Sequence, residues 1–131
     1  MIFRQLYDSV SGTYSYLLAS RQGGEALILD PVLEKVDRYL QLVRELDLKL
    51  VKAVDTHLHA DHITGLGALR DRTHATSIVV THDRDLAFGI ADRIAMIADG
   101  EILELGRPDE VRRSRHPLVQ KFLTADFKPK S

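Results

Sequence analysis

The stretch Thr56-His57-Leu58-His59-Ala60-Asp61-His62 places three histidines and an aspartate within six residues. Imidazole and carboxylate together suit borderline divalent ions such as zinc and iron(II). A lone histidine on a turn is ordinarily a solvated polar residue. Four ligand-type side chains at this spacing point instead to a metal site. His57 and His59 lie two apart, so an extended turn can aim both to one side. The candidate metal ligands are therefore His57, His59, Asp61 and His62. His82-Asp83, further along, are candidates for added ligands. A catalytic zinc needs three protein ligands and one open position, whereas a non-haem iron needs two histidines and a carboxylate on one face. Either set is within reach of these six residues.

Positioning such a cluster requires elements on both sides. Residues 50–55 are apolar and β-prone, and predict a strand that leads into the histidines. Ile63, Leu66 and Leu69 recur at helical spacing and predict a helix over about 61–70. Asp61 would cap that helix, and Gly65 and Gly67 would weaken it or let it pack closely. The cluster would thus sit at the C-terminal end of a strand, where α/β sheets usually bind ligands. Residues 77–81 predict a further strand. Strand, helix and strand make a β-α-β unit, which closes with parallel strands. His82 and Asp83 would then end a neighbouring strand at the same sheet edge as His57.

The remaining pattern fills in the sheet. Residues 2–6, 13–18 and 26–29 predict strands separated by Gly- and Asp-rich turns. Leu33, Val36, Leu40 and Val43 line one face of a helix. Leu86, Ala87 and Ile90 predict a short helix. Asp99-Gly100 between two apolar runs is a strong hairpin signal. Short helices are predicted after Arg107-Pro108 and after His116-Pro117, and residues 128–131 read as a frayed tail. The expected fold is α/β: one domain over 1–131, with a mixed sheet of about six strands around a central parallel β-α-β unit. Helices pack on the sheet, and a hairpin and short helices close the chain.

Composition excludes several function classes. At 131 residues the chain is long enough to bury a core. Its net charge of −1 offers no field for nucleic acid or an anionic membrane. It has no cysteine, hence no disulfide and no thiolate. No run approaches membrane-spanning length, and the start lacks the order of a signal peptide. A cytoplasmic protein is the default expectation.

Particular residues carry two resemblances. Ile2-Phe3-Arg4-Gln5-Leu6, Thr13-Tyr14-Ser15-Tyr16-Leu17, Leu29-Asp30-Pro31-Val32 and His57-x-His59-x-Asp61-His62 resemble the metallo-β-lactamase superfamily. Residues 1–74 look closest to its persulfide dioxygenase branch, which is related to glyoxalase II. The resemblance implies a metal on His57 and, in hydrolase members, on His59, with Asp61 and His62 serving a second ion. In the dioxygenase branch a single iron(II) would use His57 plus a histidine and an aspartate from much further along. Those families run well over 200 residues, and the pattern is left near Thr73-His74-Ala75-Thr76, before such a segment.

Residues 75–126 resemble the C-terminal end of an ABC transporter ATPase subunit, most like those of lipid importers. Ile78-Val79-Val80-Thr81-His82-Asp83, Ala91-Asp92-Arg93-Ile94-Ala95-Met96, Asp99-Gly100-Glu101-Ile102 and Gly106-Arg107-Pro108-Asp109-Glu110-Val111 carry that likeness. His82 matches the family's switch histidine. No G-x-x-x-x-G-K-[ST] phosphate loop is present, so no nucleotide is expected.

The sequence therefore reads as two half-proteins joined, an engineered or recombined chimera. Its first expected function is a folded protein without evolved catalysis that retains zinc or iron(II) binding. The alternative is a metal-dependent hydrolase or an iron persulfide dioxygenase; a nucleotide-binding module ranks behind both. An exposed sheet edge suggests a homodimer.

Overall fold

A computed structural model describes residues 1–57 and 63–124. The chain packs as two compact units, Met1–Val80 and Thr81–Ser131. The packing boundary thus falls a few residues after the point where the sequence likeness changes.

The first unit is a five-stranded mixed sheet in the order β1-β2-β3-β4-β5. Strands β1 (Ile2–Asp8), β2 (Thr13–Ala19) and β3 (Glu25–Leu29) form an antiparallel meander. Helix α1 (Val36–Glu45) crosses back to β4 (Lys49–Asp55), which runs parallel to β3. Helix α2 (Leu66–Thr73) then crosses to β5 (Thr76–Val79), parallel to β4. The predicted β-α-β unit is present, with its strands as immediate neighbours.

Side-chain alternation explains why the chain settles this way. One sheet face carries Leu17, Ala26, Ile28 and Ala53, all nearly inaccessible. Helix α1 lays Val36, Tyr39, Leu40 and Val43 over that face, and α2 adds Leu66 and Leu69. The stripe on α1 has the i, i+3, i+4, i+7 spacing that one helix face demands.

Three expectations need correction. The large sheet has five strands rather than about six, because the Asp99-Gly100 hairpin forms a separate two-stranded sheet. Helix α2 begins at Leu66, not near residue 61. Ile63 and Thr64 pair with the segment after β3 instead: Thr64 bridges to Val32, Leu33 N–H donates to Ile63 O at 2.9 Å and Gly65 N–H to Pro31 O at 2.8 Å. Those bonds compete directly with helical ones, so the apolar period of Ile63 misleads. Strand β5 also ends at Val79, two residues short of its predicted end.

Gly65 has a packing reason. A Cβ there would lie 3.0 Å from Val36 Cγ2 and 3.4 Å from Pro31 Cβ. The glycine lets the start of α2 come down onto the start of α1. At its other end α2 stops at His74, whose φ of 61° is left-handed and whose N–H caps Arg70 O.

The second unit holds helix α3 (Arg84–Ile90), strands β6 (Ile94–Ala98) and β7 (Glu101–Gly106), and helices α4 (Pro108–Arg112) and α5 (Pro117–Thr124). Asp99 and Gly100 both take positive φ, 53° and 76°, as a tight hairpin turn with the right twist requires. Ile94, Val111 and Val119 form its buried centre. No helix among the described residues is long and apolar enough to cross a membrane. The predicted frayed tail lies outside the described residues.

Candidate metal centre

The end of β3 builds the support for the site. Asp30 follows Leu29 with φ at 53°, a left-handed conformation that aspartate tolerates better than most residues. Its N–H donates to Val54 O at 2.7 Å, tying it to the end of β4. Its carboxylate then accepts from the Thr56 N–H at 2.8 Å and from the Thr56 hydroxyl at 2.8 and 3.0 Å. Thr56 Oγ1 lies 2.9 Å from His57 Nδ1.

Donor bookkeeping assigns the imidazole. The threonine has one hydroxyl proton, and the carboxylate, a pure acceptor, takes it. Toward His57, Thr56 Oγ1 can then only accept, so Nδ1 carries the ring proton. The lone pair of neutral His57 is left on Nε2. Metal-binding histidines are oriented in this manner, by a hydrogen bond to the ring nitrogen that does not face the ion. The donor chemistry of His57 thus fits zinc or iron(II).

A buried relay fixes the same segment from below. Ser15 Oγ donates to Asp30 O at 2.7 Å and lies 3.1 Å from Tyr39 Oη. Since the serine proton goes to the carbonyl, the tyrosine hydroxyl donates to Ser15. Tyr39 Oη in turn accepts from Val32 N–H at 3.1 Å. Every proton in this chain finds an acceptor, which such a buried network must achieve to be stabilising. Leu33 and Pro31 then pair with Ile63 and Gly65. The short segment 30–33 therefore anchors the chain at Thr56 and at Ile63.

The six sequence candidates fare differently. His57 is exposed and held as described. His59, Asp61 and His62 lie outside the described residues. In the second unit, Asp83 Oδ1 accepts from Leu86 N–H at 3.0 Å and so caps α3, while His82 is exposed. Among the described residues no three His, Asp, Glu or Cys side chains assemble into a metal-binding group. Asp30 and Thr56, which hold His57, are the residues here that sequence reasoning did not single out. The signal was an acid closing one strand and a hydroxyl closing its neighbour, legible only once β3 and β4 are known to be parallel partners. Asp55, also buried, ends β4 on the core-facing side of the sheet.

The family model of the metallo-β-lactamase superfamily matches residues 8–126, and the chain belongs to that superfamily. That match continues beyond residues 73–76, where the sequence pattern reads as departing. The chain is similar to the human protein named "Persulfide dioxygenase ETHE1, mitochondrial", 43% identical over 107 residues, which is 82% of this chain and 40% of that one. A solved structure of ETHE1 from Myxococcus xanthus superimposes with a TM-score of 0.56 at 60% identity, over 59% of this chain and 34% of the other. Part of the chain is also similar to the sulfate/thiosulfate import ATP-binding protein CysA of Nocardia farcinica. That likeness is 39% identity over 72 residues, 54% of this chain and 22% of the relative. The chain spans about 40% of the length of the persulfide dioxygenases it matches.

Proposed function

We propose that this chain carries the metal-binding portion of a persulfide dioxygenase-type protein and takes iron(II) at His57. The observation that carries the reading is the Asp30–Thr56–His57 relay, which leaves Nε2 as the lone-pair nitrogen of the first histidine in His-x-His-x-Asp-His. Membership of the superfamily and the identity with the persulfide dioxygenases support it. They favour an enzyme over a folded chain without catalysis. A bound iron(II) would supply a place where dioxygen and a persulfide sulfur can meet. The chain's own residues do the holding: Asp30 orients Thr56, Thr56 orients His57, and residues 31–33 hold Ile63 to Gly65.

One histidine does not hold a catalytic ion. The further donors of this proposal are His59, Asp61 and His62. Zinc-dependent hydrolysis is the second reading, because the His57 donor suits zinc equally and other members of the superfamily are lactamases by name. A cytoplasmic setting belongs to the proposal too, although the human relative carries "mitochondrial" in its name.

The test loads the protein with iron(II) without air, counts metal per chain, and follows dioxygen uptake on adding glutathione persulfide. About one iron per chain and persulfide-dependent uptake, both lost in His57→Ala, is the expected result. Bound iron without uptake would reduce the protein to a metal binder. Thioester hydrolysis by zinc-loaded protein would favour the second reading.

A further inference from the structure

The end of the β6–β7 ribbon away from its tight turn gathers arginines. Ile94 pairs with Gly106 there, and one step further the register sets Arg93 beside Arg107. Like charges directly opposite on paired strands work against the pairing. A third guanidinium joins these two: Arg112, on α4, lines the same open cleft of about 610 Å³. Asp92 and Asp109 also line it. Its uncharged lining, Ala91 and Pro108, has no backbone donor to spare, because proline carries no N–H and Ala91 N–H is given to Ala87 O at 3.1 Å. Recognition of a ligand here therefore rests on charged side chains.

The two carboxylates do not use up the three cations. Asp109 is shared, 3.2 Å from Arg113 Nη2 and 4.0 Å from Arg107 Nε. Glu110, beside the cleft, accepts from the Arg107 backbone N–H at 3.4 Å. Among the described residues Arg93 has no ion-pair partner. Arg112 stacks its guanidinium over the Phe88 ring, 4.7 Å from the centroid. That contact uses the flat face of the group and leaves the N–H donors at its edge for another partner.

We propose that this cleft binds a small sugar phosphate, its phosphate held by Arg93, Arg107 and Arg112. The planar fork of a guanidinium matches phosphate oxygens two at a time. A dianion placed between Arg93 and Arg107 replaces their repulsion with two attractions. The volume decides against bare phosphate, because a cleft twenty times the roughly 30 Å³ share of one water leaves room for an attached organic group. The lining decides what that group is. Among the described residues no aromatic ring lines the cleft, so no face is offered for a nucleotide base to stack on. Asp92 and Asp109 are acceptors suited to sugar hydroxyls. The site lies wholly within residues 91–112 and is independent of the metal at His57.

Titration of the full chain with ribose 5-phosphate, followed by proton–nitrogen spectra of backbone and arginine Nε–H groups at fixed ionic strength, tests this. Saturable shifts are expected at Arg93, Arg107 and Arg112, with inorganic phosphate binding at least threefold more weakly and ribose not at all. Arg93→Gln and Arg112→Gln should each weaken binding at least fivefold while the rest of the spectrum is kept. Arg115→Gln, at an exposed position outside the cleft, should leave it unchanged. Shifts that rise linearly without saturating, or that sodium chloride reproduces, reduce the effect to charge screening and overturn the proposal. Saturable binding indifferent to both cleft variants places the site elsewhere, with the same consequence. Inorganic phosphate binding as tightly as ribose 5-phosphate removes the sugar from the assignment and likewise overturns it.

Discussion

Residues 1–80 bury a continuous core beneath two crossover helices, whereas residues 81–124 gather around Ile94, Val111 and Val119 with partly exposed neighbours. The difference follows from how each set of elements closes. Helices α1 and α2 both return the chain to a parallel neighbour in one sheet, so each new residue buries surface already partly enclosed. The hairpin and short helices of the second unit close locally, and a two-stranded ribbon is marginal by itself. Ile97 and Ile102, paired across that ribbon, remain 69% and 63% exposed. A hydrophobic period suffices to form an element, but the amount of surface it encloses sets its stability.

The sharpest way to break this comparison is a cavity in each centre. Leu69 is fully buried, and Leu69→Ala should cost about 2–5 kcal/mol. Val119→Ala removes two buried carbons and should cost roughly 1.6 kcal/mol before any cavity effect. Amide hydrogen exchange should show the first change loosening β3 and β4 and the second loosening only β6, β7, α4 and α5. Uniform loosening by either variant would erase the distinction between the units.

Tyr39→Phe comes next. It leaves the Val32 N–H without its acceptor and Ser15 without its donor, and should cost about 1–3 kcal/mol in urea unfolding. The loss should report in the first unit alone.

The smallest effect concerns Asp8. The Ser11 hydroxyl, donating at 2.6 Å, holds its carboxyl below the usual carboxylate range, aided by the backbone N–H groups of Ser11 and Val10 and by Lys35. Because the folded value lies below the unfolded one, the stabilisation is present above the unfolded value, near pH 3.9. It is lost as pH falls through the folded value. Asp8→Asn should flatten this acid limb of the stability curve without changing the neutral limb's slope.

Much of this was legible in sequence because the period of apolar residues is physical. The strand before the histidines, the parallel β-α-β unit, the α1 stripe and the Asp99-Gly100 hairpin all follow from it. What was not legible depended on partners distant in sequence. The false helix start at residues 61–65 looks helical until Pro31 and Leu33 claim the backbone groups of Gly65 and Ile63. Asp30 reads as a strand-ending turn residue until Val54 and Thr56 are found beside it. His57 was marked by its own chemistry, and the residues that set its proton were not.

The most direct test of the account observes that proton. Long-range proton–nitrogen correlation spectra of metal-free protein, at a pH where imidazoles are neutral, should show His57 protonated on Nδ1 with an unprotonated Nε2. Adding zinc should then shift Nε2, and Thr56→Val should remove the preference and weaken zinc binding by about 10–100-fold. A His57 protonated on Nε2 in the unaltered protein, or zinc affinity indifferent to Thr56→Val, would contradict the assignment of Asp30 and Thr56 as the residues that prepare the ligand.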